Sequence, residues 1–256
     1  MKIIILAGGW GSRLGSHTES IPKPMVKIGE KPILWHIMKI YSHYNYNDFI
    51  ICLGVKGEII KNYFRHFHIL NNDISINLSD SYINYLNNLN EIDWNVSLIN
   101  TGLNTPKGGR IKKVEKYLDD INIVTYGDSL ADIDIDKLVN FHRSHGKMVT
   151  ITAVHPPARF GEIVEYNNKV LTFKEKPNKS IGLINGGFIV FNKILLNYLD
   201  DKSDFESDVL ESLSNEGEVM IYKHSGQWEC MDHERDYIHL NELWDSNKAF
   251  WKVWDE

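Results

Sequence analysis

Two cysteines in 256 residues, Cys52 and Cys230, leave no disulfide framework to hold a fold together. Cys52 lies within the apolar run Phe49-Ile50-Ile51-Cys52-Leu53, which reads as a buried strand and not as half of a bridge, so a reducing compartment is expected. No apolar stretch approaches the ~20 residues that a membrane-spanning helix needs, which argues against a helical membrane protein. Met1 runs straight into a strand-like segment without a charged leader or cleavage site, so a cytoplasmic location is expected. Basic excess is missing as well: 28 Lys and Arg against 34 Asp and Glu give a net charge of −6. Without a basic face there is no expected nucleic-acid partner, and the ligand should be a small anion held locally. No repeat, low-complexity tract or linker interrupts the chain, so residues 1–256 are expected to form one domain around one substantial core.

What is present alternates. Strand-like runs at 3–6, 49–53, 96–100, 121–126 and 149–154 are separated by helical patterns at 33–44, 58–67, 111–118 and 135–145. This predicts an α/β fold, a Rossmann-like, mostly parallel sheet with helices on both faces. After Pro156 the pattern changes. Runs at 162–166 and 170–174 flank Asn167-Asn168-Lys169 as a hairpin would, and 187–191 reads as a further strand, so a small antiparallel lid carrying acceptor-binding residues is expected. Residues 71–94 are polar and asparagine-rich, as in a surface arm. Leu240, Trp244, Asn247, Trp251 and Trp254 recur at three- and four-residue spacing, predicting one helical face used for packing.

The first strand empties into Leu6-Ala7-Gly8-Gly9-Trp10-Gly11-Ser12-Arg13, and a rigid Pro22-Lys23-Pro24 follows. Glycines let backbone N–H groups approach phosphate oxygens while Arg13 and Lys23 neutralise them. A dinucleotide loop would need a third glycine where Leu14 stands, and a Walker loop a Gly-Lys-Ser/Thr that does not follow this strand. Asp128 closes Thr125-Tyr126-Gly127-Asp128 at another strand end, where a carboxylate suits Mg2+ held jointly with phosphates and water. Asp132, Asp134 and Asp136 lack the glycine and distal glutamate of a calcium loop, so capping and solvation account for them. His142 with His145, and His66 with His68, have no acidic third ligand at zinc spacing. No strand–nucleophile–helix pattern supports a hydrolase.

Leu-Ala-Gly-Gly-x-Gly-Ser-Arg-Leu, Lys23-Pro24-Met25, Tyr126-Gly127-Asp128, Arg159-Phe160-Gly161, Glu175-Lys176-Pro177, Ile184-Asn185-Gly186-Gly187 and Met231-Asp232 occur in one order along the whole chain. This ordered set resembles the sugar-nucleotide nucleotidyltransferases, most of all their cytidylyltransferases. The resemblance implies an Mg2+-dependent transfer of CMP from CTP to a phosphorylated small molecule, glucose 1-phosphate first, with pyrophosphate leaving. It implies that Leu6–Arg13, Lys23, Thr105, Arg110, Gly127 and Asp128 surround the nucleotide, with Arg13, Lys23 and Asp128 catalytic. Asp128 and Asp232 would hold the metal, and Tyr126, Glu175, Lys176 and Asn185 the acceptor. The resemblance also implies a homo-oligomer to which the 71–94 arm contributes. Asn100, Ser129, Ala158 and His233 depart from the family pattern, mostly on the acceptor side. They keep two alternatives open: a cytidylyltransferase for a non-sugar phosphate such as L-glutamine phosphate, and a nucleotide-binding regulatory module without turnover.

Overall fold

The computed structural model describes residues 1–86, 92–157, 161–175 and 182–254. Its centre is a seven-stranded sheet. The strands are β1 (Ile3–Ala7), β2 (Asp48–Leu53), β3 (Asn95–Asn100), β4 (Ile121–Tyr126), β5 (Val149–Val154), β6 (Ile184–Asn192) and β7 (Val219–Lys223), in the spatial order β7-β5-β6-β4-β1-β2-β3. All neighbours are parallel except β6, which runs antiparallel to both β4 and β5. The longer helices are α1 (Ile33–His43), α2 (Gly57–Arg65), α3 (Lys107–Lys113), α4 (Ile135–His145) and α5 (Glu234–Asp245).

β1 shows why the sheet is covered on both faces. Ile3 and Ile5 join one apolar cluster with α1 residues Ile33, Leu34, Ile37, Met38 and Tyr41, while Ile4 joins a second with Ile50, Cys52, Val124 and Ile111. A strand with side chains alternating between faces must be apolar at every position when both faces are buried, as Ile-Ile-Ile-Leu-Ala is. Cys52 is fully buried in the second cluster and Cys230 is also unpaired, as expected.

From β1 the chain moves outward through β2 to β3, then returns to place β4 on the other side of β1, with Leu6 beside Tyr126. That reversal opens a crevice beyond the C-terminal ends of β1 and β4, where ligands bind in sheets of this type.

The outlying parts are partly as expected. The 162–174 hairpin forms, Glu162–Tyr166 against Lys169–Lys174, with Asn167 and Asn168 both in the left-handed region that a two-residue hairpin turn demands. The arm contains a short hairpin, Ile74–Asn77 against Tyr82–Tyr85, which its polar composition hides. The C-terminal aromatic stripe is not one helical face. α5 ends at Asp245, Asn247 takes a positive φ of 57°, and the chain turns back. Trp251 and Trp254 are buried in the same core cluster as α1, so their spacing reflects one packing surface reached by two routes.

Candidate active site

Segments far apart in sequence converge over that crevice and line a cavity of about 850 Å³. The glycine loop, residues 6–13, forms one wall with Lys23 and Pro24. Residues 103–107 and Arg110 form another, and Tyr126–Asp128, Asn185, Asp204, Glu206 and Asp232 complete it. Each nucleotide-side residue named from the sequence therefore borders one space.

Lys23 is delivered by its prolines. Pro22 is extended at ψ 149° and Pro24 occupies the first turn of the short 3-10 helix Lys23–Met25, which fixes the backbone on either side of the lysine. Gly127 serves this packing: a Cβ there would come 2.9 Å from Pro24 Cγ, so the glycine makes room for Pro24 more directly than for a ligand. Lys23 Nζ donates to Asp128 Oδ2 at 2.6 Å and to Asp232 Oδ1 at 2.9 Å, and Arg13 Nη1 lies 2.6 Å from Asp232 Oδ2. Burial works against the Lys23 ammonium, but the charge of Asp128 and hydrogen bonds to both aspartates leave its pKa raised. Burial likewise pushes the Asp232 carboxyl up, and the hydrogen bond and charge of Lys23 bring it below its ordinary value. Both groups are therefore ionised at neutral pH.

Asp128 and Asp232 are 104 positions apart, and a short pairing joins them. Ser129–Ala131 pairs antiparallel with Trp228–Cys230, and Met231 N donates to Asp128 O at 2.9 Å. Asp236 of α5 then accepts from the backbone N–H of Asp232 at 3.1 Å and of His233 at 2.8 Å. His233, not Asp232, is the N-cap of that helix, which leaves the Asp232 carboxylate for the cavity. Two carboxylates sharing one ammonium point at a common position, and this donor set fits a hard divalent cation. Among the described residues no cluster of three or more His, Cys, Asp or Glu could hold a metal, so the remaining ligands would be phosphate oxygens and water.

Arg110 is a different case from Arg13. It is 4% exposed, and its guanidinium donates to the carbonyls of Leu53 (3.1 Å), Gly102 (2.8 Å), Gly8 (3.0 Å) and Leu103 (3.1 Å) and to Thr101 Oγ1 (2.7 Å). Its donors are spent on the protein, so it stands beside the cavity as a brace between the glycine loop and residues 101–103. Gly8 is small for that reason, since a Cβ there would sit 2.1 Å from Arg110 Nη1. Gly9 has nothing within 4 Å of such a Cβ and faces open space, and Gly11 turns the loop at φ +65°. Trp10 is 64% exposed at the rim and Thr105 Oγ1 is turned inward to Thr101 O at 2.6 Å.

On the acceptor side only part of the expected set is assembled. Tyr126 and Asn185 line the cavity, and Asn185 Nδ2 donates to Tyr126 Oη at 3.1 Å. Burial first, and the Glu206 charge second, push the Tyr126 phenol far up, so it stays protonated. Glu175 is exposed at the end of the 162–174 hairpin and is not among the lining residues, while Lys176 and Arg159 lie outside the described residues. Lys107, Asp204 and Glu206 also border the cavity, and the sequence reading missed all three. The one signal for the last two is the cap pattern Asp204-Phe205-Glu206-Ser207, which says helix start and nothing about a site.

A glycine loop and a lysine–dicarboxylate centre at the switch point of an α/β sheet define a protein that handles nucleoside triphosphates. Residues 2–246 match the nucleotidyl transferase family, and the chain belongs to that family. It is similar to glucose-1-phosphate cytidylyltransferase of Salmonella typhi, 43% identical over 258 residues that span 100% of both chains. It is 33% identical over 217 residues to D-glycero-alpha-D-manno-heptose 1-phosphate guanylyltransferase of Aneurinibacillus thermoaerophilus, covering 82% of this chain and 84% of that one. Among solved structures it is similar to HddC from Yersinia pseudotuberculosis, with a TM-score of 0.67 and 26% identity over 95% of this chain and 99% of that chain.

Proposed function

We propose that this nucleotidyltransferase moves CMP from CTP to glucose 1-phosphate, forming CDP-glucose and pyrophosphate. The observation that carries the assignment of base and acceptor is the 43% identity along the entire length of the Salmonella typhi enzyme. The acceptor phosphate oxygen attacks the α-phosphorus, its bond to phosphorus forms as that to the bridging oxygen breaks, and the two electrons of that bond leave with pyrophosphate. Lys23, buried and paired with Asp128, would follow negative charge at the α-phosphate, and exposed Arg13 would hold the outer phosphates. Asp128 and Asp232 would hold Mg2+, which supplies neutralisation of the triphosphate when bound. Turnover argues for both carboxylates better than sensing does, so the regulatory-module alternative is not favoured. Cytoplasmic residence and assembly into a homo-oligomer through the 71–94 arm belong to the same proposal. Among the described residues no helix is long and apolar enough to cross a membrane.

The test is pyrophosphate release from each of four nucleoside triphosphates with Mg2+ and a panel of phosphorylated acceptors. CTP with glucose 1-phosphate should exceed every other pair by at least tenfold in kcat/KM. Preference for a non-sugar phosphate such as L-glutamine phosphate would replace the acceptor and keep the mechanism.

A further inference from the structure

Two carboxylates that border the cavity, Asp204 and Glu206, have no role in that chemistry. Glu206 belongs to the segment Phe205–Leu210, which winds as a π-helix, a wide turn that is rare and concentrated at functional sites. Asp204 starts the segment by accepting from the backbone N–H of Glu206 at 3.0 Å and of Ser207 at 3.1 Å, and Phe205 anchors it in the core. Glu206 Oε1 accepts from Tyr126 Oη and from Lys107 Nζ. It thereby ties the first residue of α3, on the nucleotide wall, to the end of β4, on the acceptor wall.

The direction of these bonds is fixed. A phenol has one proton, and Tyr126 gives it to Glu206, so the Tyr126 oxygen accepts from Asn185. The Asn185 carbonyl is occupied by Gly187 N at 2.9 Å. Donation thus runs from Gly187 to Asn185 to Tyr126 to Glu206. At the end of the chain Glu206 borders the cavity with its side chain 31% exposed. A carboxylate oxygen can only accept, so a ligand group that meets Glu206 there is a donor. A phosphate ionised at neutral pH does not supply one, whereas a hydroxyl does, and the bond from Tyr126, itself bonded to Asn185, sets Glu206 against the acceptor wall.

We infer that Glu206 is a specificity-determining residue that accepts a hydroxyl of the sugar phosphate while holding Tyr126 and Asn185 in register. This rests on the reading of the acceptor as glucose 1-phosphate. The test is steady-state pyrophosphate release by wild type, Glu206→Ala and Glu206→Gln, using CTP with glucose 1-phosphate and its monodeoxy analogues. Glu206→Ala should raise the acceptor KM at least tenfold and leave the CTP KM within twofold. Glu206→Gln, which keeps an accepting oxygen, should recover part of the loss. One deoxy analogue should already be poor for wild type and no poorer for Glu206→Ala, identifying the hydroxyl. Equal increases in both KM values, or the same penalty on every analogue, would reduce Glu206 to a brace. An unchanged acceptor KM with normal wild-type turnover overturns the Glu206 assignment alone. Absence of wild-type turnover with every hydroxylated sugar phosphate overturns it together with the parent reading.

Discussion

At the scale of single residues, the cavity holds two kinds of cation, one open to its space and one spent on the protein. Arg13 and Arg110 look alike in sequence, each within two residues of glycine, yet Arg13 has a side chain 70% exposed and Arg110 is 4% exposed with its donors on backbone carbonyls and Thr101. Arg110→Lys should therefore lower stability by at least about 2 kcal/mol, because a single ammonium cannot satisfy the fork of acceptors left behind. Chemical denaturation measures this, and a variant of normal stability with a raised CTP KM would make Arg110 a ligand contact after all. Asp128→Asn and Asp232→Asn should each cut kcat by at least ~100-fold with the melting temperature nearly unchanged, since metal stabilisation of transferring phosphate is worth several kcal/mol. Near wild-type turnover in saturating Mg2+ would remove that aspartate from the centre. That Arg13, Lys23 and Asp128 border one cavity was legible because glycine and proline near them mark special backbone. Glu206 was not, because its surroundings are an ordinary helix start and its partners, Lys107 and Tyr126, are 99 and 80 positions away.

At the scale of elements, the regular pieces were legible wherever hydrophobic period and length agreed. Ile121–Tyr126, Val149–Val154 and Ile135–His145 match their sequence readings to the residue, each being continuous in apolar pattern and bounded by turn residues. The C-terminal stripe misled because Trp251 and Trp254 meet α1 after the helix has ended. Their packing has a measurable consequence at His36. This fully buried imidazole shares its two nitrogens with Ile28 O at 3.0 Å and Trp251 Nε1 at 3.3 Å, and it lies beside Trp35, Trp244 and Trp254. Burial, the largest cause, pushes its pKa down to about 4, with the Lys31 charge acting the same way and hydrogen bonds to backbone opposing it. The unfolded chain takes up a proton near pH 6.5 that the folded chain refuses, so stability falls as pH drops from about 6.5 to about 4 and is unaffected by this group above that window. The loss should reach about 3 kcal/mol by pH 4. His36→Gln keeps a donor and an acceptor but does not titrate. Urea midpoints measured from pH 7 to 4 should fall more steeply for wild type than for this variant, and parallel curves would show that His36 does not titrate on unfolding.

At the scale of the molecule, the site is a consequence of the whole topology and not of any contiguous piece. Arg13 and Lys23 follow β1, Asp128 follows β4, and Asp232 arrives after β7 through the Trp228–Cys230 pairing with Ser129–Ala131. The antiparallel β6 joins β4 to β5, so the early and late strands belong to one sheet. No part of the cavity can be completed while another part is unfolded. Unfolding should accordingly be a single transition, with calorimetric and van't Hoff enthalpies in agreement. Binding of CTP with Mg2+ should move that transition as a unit. At 100 times the dissociation constant the stabilisation is about 2.7 kcal/mol, and at about 2–4 °C per kcal/mol for a chain of this size the midpoint should rise by roughly 5–10 °C. Asp232→Asn should lose much of the Mg2+-dependent part of that rise, although Asp232 lies at the far end of the chain from the glycine loop. Two resolved transitions, only one of them moved by CTP, would show two separately folding parts. In that case residues 1–256 would not be one domain, and the carboxylate of Asp232 would have to be brought to Lys23 by docking and not by folding.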